Sequence, residues 1–201
     1  MVFDVKPGGV GKTRFVAGDH VVDASAYPVY ASVLKSENFR ILLTMASDNK
    51  LQVVTGGFGG AYLHAPAKEK ICSKAGPEFK QFEGRTILIK RALYSLKTSA
   101  GAWLEYLTSS LRDLGFKTST MDPNVWLQPR LDDDNNLVGY DYICVHVDNF
   151  AVFAMEPSKY ITRLSKLYTI RHITPLTDHS IYLGMDLLPH IIISQSYISK
   201  T

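Results

Sequence analysis

Apolar residues recur every three or four positions in three stretches of the chain, which is the spacing of amphipathic helices. The first stretch is 30–46, where Ser36 is placed to cap the second half. The second follows residue 99 and is ended by Gly115, and the third is 157–168, with a proline in its first turn. We expect the inward stripes to be Phe39, Leu42, Leu43 and Ala46; Trp103, Tyr106, Leu107, Leu111 and Leu114; and Ile161, Leu164 and Leu167.

Between these helices, runs of β-branched and aromatic residues predict strands. The strands lie at 51–55, at 85–90, at 122–127 with a return over 137–142, at 142–154, and in a last hairpin of 181–188 with 190–194. The segment 68–82 is expected to be a basic, proline-containing loop. The order of elements predicts an α+β fold, with a split βαβ (ferredoxin-like) antiparallel sheet and helices on one face.

The composition is that of a soluble globular protein, with 46% hydrophobic and 20% charged residues among 201. The net charge of +3 permits contact with a polyanion without requiring it. Cys72 and Cys144 form neither a disulfide framework nor a metal box, so a reducing compartment is expected. The sequence has no signal-peptide pattern, and its apolar runs are too short to cross a bilayer. We therefore expect an intracellular protein, cytoplasmic or nuclear.

Residues 6–13, Lys-Pro-Gly-Gly-Val-Gly-Lys-Thr, are similar to a loop that cradles phosphates with glycines and a lysine. The first glycine of that pattern would fall at Lys6. The residues from Arg14 onward read as a strand rather than as the helix whose N-terminus would hold the phosphate. A nucleotide-binding protein that uses 6–13 is therefore the third hypothesis for the function.

The stretch 142–154 sets Asp148 and Asn149 between two apolar runs, so we expect a hairpin with this pair at its tip. A carboxylate at the tip of a buried hairpin needs compensation, and a divalent cation is one form of it. An ordinary turn with a solvated carboxylate is the alternative. His146 is a further possible metal ligand. No second ligand lies at a useful spacing, so a substituted hairpin residue is the preferred interpretation.

Seven stretches, taken in order, resemble the reverse transcriptase domain of copia-type retrotransposons. They are 14–20, 59–66, 91–99 with Trp103, 114–116 with 122–126, 145–149, 182–186 and 194–198. The segment Val145-His-Val-Asp-Asn149 stands where the family has Tyr-Val-Asp-Asp. The segment 91–99 resembles the family's Leu-Tyr-Gly-Leu-Lys motif, with Ser95 in place of its glycine.

The resemblance implies RNA-directed DNA polymerisation, in which two cations about 4 Å apart hold the attacking hydroxyl and the leaving oxygen. Mg²⁺ prefers carboxylate and phosphate oxygens, and the family supplies three aspartates. Their positions here are Gly57, Asp148 and Asn149, and Asp48 lies too far upstream to replace Gly57. Asp148 is then the one catalytic carboxylate and metal ligand left. We therefore expect weak or absent Mg²⁺ binding and a catalytically silent copy.

The resemblance also implies contacts with an RNA or DNA template-primer and with a deoxynucleotide. Arg14 would reach the incoming triphosphate, and Tyr62 would lie under the sugar. Template or primer contacts are expected from Tyr94, Lys90, Arg91, Lys97 and Ser99, and further phosphate contacts from Lys68, Lys70 and Lys74. Simple solvation is the alternative for each lysine.

By the same resemblance, the fingers would comprise about 1–48 and 67–100, the palm about 49–66 and 101–188, and the start of the thumb 189–201. The RNase H, integrase and protease modules of the family are not seen, so a degenerate and truncated copy is expected. The first hypothesis is a polymerase domain that has lost its activity. The second is a non-catalytic nucleic-acid-binding remnant.

Overall fold

The computed structural model describes residues 2–5, 9, 11–14, 31–94, 96–176, 180–182 and 185–187. The strands are β1 (Val2–Val5), β2 (Gly11–Arg14), β3 (Gln52–Phe58), β4 (Pro66–Lys74), β5 (Thr86–Arg91), β6 (Lys117–Thr118), β7 (Val125–Leu131), β8 (Leu137–His146), β9 (Asn149–Ala154), β10 (Ile170–Pro175), β11 (Ser180–Tyr182) and β12 (Met185–Leu187). The helices are α1 (Ser36–Asp48), α2 (Ala61–His64), α3 (Ser99–Asp113) and α4 (Pro157–Ser165), with a 3₁₀ segment at Pro77–Phe82.

The chain forms two compact units. The first unit comprises Met1–Ala31 and Gly60–Thr108, and the second comprises Ser32–Gly59 and Ser109–Thr201. The fold is mixed α+β, as predicted, and every strand pairing in the described residues is antiparallel.

The second unit is built on a six-stranded sheet with the strand order β10-β3-β9-β8-β7-β6. Strand β9 lies in the middle, paired with β3 on one side and with β8 on the other. Five of its six residues are buried, which agrees with its unbroken apolar sequence Phe-Ala-Val-Phe-Ala. The sheet therefore holds the 142–154 stretch rigidly by hydrogen bonds on both edges.

Both faces of this sheet are covered. On one face, Phe153 packs edge-on against Phe39 of α1, with ring centroids 5.8 Å apart. On the other face, Phe150 packs against Phe58 at 4.9 Å, and Phe58 packs against Tyr168 at 5.1 Å. The prediction of helices on one face is therefore wrong, because β9 is apolar on both sides and both sides must be kept from water.

Helix α4 is joined to the second face by a buried hydrogen bond. The Tyr160 hydroxyl donates to Asp141 Oδ2 at 2.8 Å, and Arg130 Nη1 lies 3.1 Å from Asp141 Oδ1. Burial, and then the hydrogen bond to Asp141, raise the pKa of Tyr160 above its ordinary value. Both carboxylate oxygens of this nearly buried aspartate are thus satisfied, as its burial requires.

A second buried carboxylate fixes the start of β7. Asp122 accepts hydrogen bonds from Asn38 Nδ2 at 2.6 Å and from the Asn124 backbone at 2.9 Å. The carbonyl of Asn124 accepts in turn from the backbone of Val145, at 2.9 Å. Ser32 Oγ donates to Asn124 Oδ1 at 3.3 Å. Helix α1, the approach to β7 and the end of β8 are therefore linked by one polar network.

The first unit contains two hairpins, β1–β2 and β4–β5. Residues 68–74 of the predicted loop 68–82 belong to the strand β4, so that prediction is wrong up to Lys74. Ile71 of β4 pairs with Ile89 of β5, and both pack with Leu93 and Leu96 in a small core. This pairing with β5 turns a basic sequence into a strand, and single-strand propensity does not reveal such a partner.

Several helix predictions need correction at their ends. Helix α1 begins at Ser36, which is its first residue rather than a cap within a longer helix. The predicted stripe of α1 is confirmed, since Phe39, Leu42 and Ala46 are buried. Tyr106 of α3 is exposed rather than inward. Leu167 is also exposed, and it lies beyond the end of α4, which stops at Ser165.

The remaining differences concern strands. Strands β11 and β12 pair with each other, so the stretch predicted as the single strand 181–188 contains the last two residues of β11 and all of β12. The second predicted strand, 190–194, lies outside the described residues. Strand β10 was not predicted and pairs with β3.

The glycine-rich segment near the start of the chain leads into the strand β2, whereas a phosphate-binding loop would lead into a helix. Lys12 and Thr13 belong to β2, which pairs with β1. The third hypothesis, nucleotide binding by 6–13, therefore lacks its helix N-terminus in the described residues 11–14. No helix in the described part of the chain combines the length and apolar character needed to span a membrane.

Candidate active site

Four residues form a row across four neighbouring strands of the second unit. Arg171 of β10 pairs with Gly57 of β3, Gly57 pairs with Asn149 of β9, and Asn149 pairs with His146 of β8. Directly paired residues present their side chains on the same face of a sheet. The structure thus brings together Gly57 and Asn149, which the sequence separates by about ninety positions. We call these four residues the cross-strand row.

Asp148 lies beside the cross-strand row, in the turn between β8 and β9. His146 pairs with Asn149, so the turn consists of Val147 and Asp148. The predicted tip, Asp148 with Asn149, is one residue too late, because Asn149 already belongs to β9. Val147 has a φ of +58°, and positive φ at the first of two turn residues is the type II′ pattern. A β-branched residue rarely adopts this conformation, so the tip is strained.

Gly57 leaves open space toward the two hairpin residues. A Cβ built on Gly57 would lie 3.5 Å from Asn149 Oδ1 and 3.6 Å from the Asp148 carbonyl oxygen. These are ordinary contact distances. A side chain at 57 would therefore meet the side chain of 149 beside Asp148.

The neighbouring glycines, Gly56 and Gly59, leave no space for a side chain. A Cβ on Gly56 would come within 2.6 Å of Phe150 Cζ, and a Cβ on Gly59 within 2.6 Å of Arg171 Nε. Among these three positions, only Gly57 has room for a side chain without a shift of its neighbours.

The ligand atoms at this end of the sheet do not fit a pair of divalent cations. Asp148 offers one carboxylate, Asn149 one neutral amide, and Gly57 nothing. Asn149 Nδ2 lies 3.5 Å from Asp148 Oδ1. His146 Nδ1 is buried without a hydrogen-bond partner. The described residues contain no group of three or more histidine, cysteine or acidic side chains that could hold a metal ion. A two-cation site requires several carboxylates, so this donor set is too weak.

Arg171 is the functional candidate that sequence reasoning missed. It is exposed and pairs with Gly57, and its side chain runs beside Gly59, with Cδ and Cζ each 3.2 Å from the position of a Cβ there. No sequence signal pointed to it, because β10 shows neither clear alternation nor an apolar run.

In the first unit, two of the predicted site residues meet. The rings of Tyr62 and Tyr94 are tilted against each other with centroids 4.9 Å apart. Arg91 Nη1 donates to the His64 carbonyl oxygen at 2.8 Å, so this arginine helps to hold the end of α2. Arg14 belongs to β2, and its side chain is outside what the structure describes.

The remaining predicted template contacts differ in exposure. Lys90 and Lys97 are exposed, whereas Lys68 is paired with Glu105 at 2.6 Å. Ser99 is 2% exposed, and its hydroxyl donates to the Leu93 carbonyl oxygen at 2.6 Å. Ser99 therefore has a structural role, in which its hydroxyl closes the turn before α3, and its template contact stays a prediction.

Comparison with known proteins connects this geometry to a family. A family model described as reverse transcriptase (RNA-dependent DNA polymerase) matches residues 6–199. The truncated transposon Ty1-A Gag-Pol polyprotein of Saccharomyces cerevisiae is 25% identical over 173 residues, which are 83% of this chain and 14% of that protein. The transposon Ty1-LR2 and Ty1-OL Gag-Pol polyproteins of the same yeast are also 25% identical over 173 residues, covering 83% of this chain and 9% of each relative. The chain thus spans only a small part of the curated relatives that it matches. It belongs to the reverse transcriptase family, in the copia-type group to which the predicted resemblance assigned it.

Proposed function

We propose that this chain is the fingers and palm of a copia-type reverse transcriptase whose two-metal centre has decayed. The observation that carries the proposal is the open position at Gly57, which faces Asn149 and adjoins Asp148. These are the three places where the family resemblance expects aspartates. Two of the three carboxylates are absent from this chain.

The chemical consequence is a large loss of rate. Nucleotide addition develops negative charge on the transferred phosphoryl group, and cations held by carboxylates neutralise it. Loss of a single charge-stabilising group in such a site costs about 4 kcal/mol, or roughly three decades in rate. With two acids replaced, we expect no useful polymerisation.

Primer extension tests this proposal. The unaltered chain is incubated with a primed RNA template and deoxynucleotides, in Mg²⁺ and in Mn²⁺. We expect no extension, and we expect partial extension from the double variant Gly57→Asp/Asn149→Asp. The single variants should stay inactive, because each still lacks one carboxylate.

The matched control uses the glycine next door. The double variant Gly56→Asp/Asn149→Asp adds the same charges, but its new carboxylate would have to displace the Phe150 ring. It should therefore stay inactive. Clear incorporation by the unaltered chain, abolished by Asp148→Ala, would sink the proposal.

The finer assignments rest on the same family resemblance. The six-stranded sheet is proposed as the palm, with a split βαβ topology, and the β4–β5 hairpin as part of the fingers. The contact between Tyr62 and Tyr94 supports an aromatic site for the deoxynucleotide sugar, with Arg14 toward its triphosphate. Template-primer and deoxynucleotide are the expected partners, in an intracellular setting, with Mg²⁺ bound weakly if at all.

The second candidate, a non-catalytic nucleic-acid-binding remnant, is supported by the β4–β5 ribbon. Its buried face holds Ile71 and Ile89, while Lys70, Lys74 and Lys90 are exposed at alternating positions. Such a ribbon can contact phosphates without reading sequence.

Salt-dependent binding of a primed template tests this candidate. Replacing Lys70, Lys74 and Lys90 together by glutamine should reduce the slope of log K against log salt by about 2 to 3. A matched triple variant of Lys35, Lys117 and Lys166, which are exposed in the second unit, should keep the slope. Equal slopes for the two triple variants would exclude the ribbon as the binding surface.

A further inference from the structure

The end of the sheet at Gly57 and Asn149 lacks two carboxylates but carries the positively charged side chain of Arg171. Arg171 pairs with Gly57, and its guanidinium lies beside Gly59. Neither of the two ion pairs found among the described residues involves Arg171. The side chain is exposed. Among the described residues Arg171 thus has no ion-pair partner, and it borders the same face from which two carboxylates are missing.

We propose that Arg171 makes this end of the sheet a phosphate-binding site that needs no divalent cation. The inference deepens the proposed function, on which it rests, by naming the ligand class of the decayed centre. The ligand is a phosphate oxyanion, held directly by the guanidinium rather than through a metal.

The charge balance is the first argument. With carboxylates at 57, 148 and 149, this end of the sheet would repel phosphate unless cations intervened. With Asp148 alone, this end of the sheet carries one negative charge, and Arg171 adds one positive charge. An arginine is charged throughout the physiological pH range, and its planar fork matches two phosphate oxygens. Repulsion is therefore replaced by a direct attraction.

Shape is the second argument. The missing side chain of Gly57 leaves room beside Asn149, whose amide nitrogen is a hydrogen-bond donor. The missing side chain of Gly59 lets the Arg171 side chain lie close against the backbone, since a Cβ there would come within 2.6 Å of Nε. Gly59 therefore sets the position of the guanidinium, and Gly57 leaves space beside Asn149 on the same face of the sheet.

Two sources of phosphate are compatible with this site: the backbone of a primed template and a free deoxynucleoside triphosphate. The experiment measures both ligands in EDTA and in Mg²⁺, by fluorescence anisotropy of a labelled primed template and by calorimetric titration of dTTP. The variants are Arg171→Gln, Gly59→Ala and, as the matched control, Arg40→Gln. Arg40 is an exposed arginine of α1 in the same unit.

We expect the unaltered chain to bind at least one of the two ligands in EDTA no more weakly than in Mg²⁺ at matched ionic strength, because Mg²⁺ competes with the guanidinium for phosphate. Arg171→Gln should weaken that binding by about three- to tenfold and reduce the salt slope by about 1. Gly59→Ala should weaken binding without changing the net charge, because it displaces the guanidinium. Arg40→Gln should bind like the unaltered chain. Loss confined to the template assigns the backbone phosphates, and loss confined to dTTP assigns the triphosphate.

Three results would overturn the inference. They are binding of neither ligand in EDTA, equal affinities for Arg171→Gln and Arg40→Gln, and Gly59→Ala binding unchanged. Circular dichroism of each variant confirms that the fold is kept. Primer extension, measured separately, reports on the proposed function alone. A chain that extends primers refutes the decay of the centre, whereas a chain that neither extends nor depends on Arg171 refutes only this inference.

Discussion

Gly57 and Asn149 face each other across β3 and β9, and a Cβ on Gly57 would stand 3.5 Å from Asn149 Oδ1. The two positions are thus close enough for their side chains to share one ligand. Neither residue carries a charge, so the pair supplies no carboxylate to such a ligand.

The first prediction is that alanine substitution destabilises the fold at Gly56 more than at Gly57. Gly56→Ala should lower the free energy of unfolding by about 1–3 kcal/mol, because the new methyl group meets the fully buried Phe150 ring. Gly57→Ala should change it by less than about 1 kcal/mol, since the space is open. Urea denaturation of both variants checks this. Equal destabilisation by the two substitutions would contradict the difference in available space at Gly56 and Gly57.

The second prediction concerns the strained turn. Val147→Gly should raise the free energy of unfolding by about 0.5–1 kcal/mol, because glycine adopts positive φ without the penalty that valine incurs there. The control is Val138→Gly, at an exposed position of β8, where the same change should destabilise by about 1 kcal/mol. Thermal and urea unfolding measure both. A loss of stability in Val147→Gly would contradict the strain.

The third prediction is a pH dependence set by Asp122. Burial raises the pKa of this carboxyl, but hydrogen bonds from Asn38 and Asn124 outweigh it and hold the net pKa below the ordinary 3.8. A depressed folded-state pKa stabilises the fold above pH 3.8, and this contribution is lost as the pH falls through the folded value.

Unfolding of Asp122→Asn, measured from pH 7 downward, checks this. At neutral pH the variant should be less stable than the unaltered chain by about 1–3 kcal/mol. The side-chain amide of an asparagine at 122 would set its own N–H donor against the N–H donors of Asn38 and Asn124. The difference should narrow in acid. Asp133→Asn, in the exposed turn after β7, controls for the loss of one charge. Parallel curves for Asp122→Asn would contradict the prediction.

The fourth prediction uses the two thiols as reporters of the sheet. Burial raises the pKa of Cys144 to about 12, and the thiolate is the reactive form. Cys72 is exposed on β4. Ellman's reagent should therefore titrate one thiol in the folded chain, none in folded Cys72→Ser, and both thiols of the unaltered chain in urea. A fast reaction of Cys144 in the folded state would mean that β8 is not in the core.

Local pattern was enough to predict the helices and the central hairpin. The stripe of Phe39, Leu42 and Ala46 repeats at helical spacing, so its burial followed from periodicity. The apolar run of β9 predicted a buried strand, and the resemblance predicted that Gly57 belongs with Asp148. The observed pairing of Gly57 with Asn149 brings position 57 next to the β8–β9 hairpin, as that prediction requires.

What failed depends on partners distant in sequence. Strand β4 is basic and becomes a strand through its pairing with β5. Strand β10, with Arg171, is fixed by pairing with β3 across more than a hundred residues. Long-range pairing leaves no local signature, so these features emerge only from the fold.

The Phe58 amide donates to the Asp148 carbonyl oxygen at 2.6 Å, a bond made by main-chain atoms alone. Exchanging the side chains at 57, 148 and 149 removes neither atom. The backbone at this corner of the sheet is therefore expected to keep its geometry whichever side chains these three positions carry. A small library of variants at those three positions would therefore compare different combinations of metal-binding side chains on the same backbone.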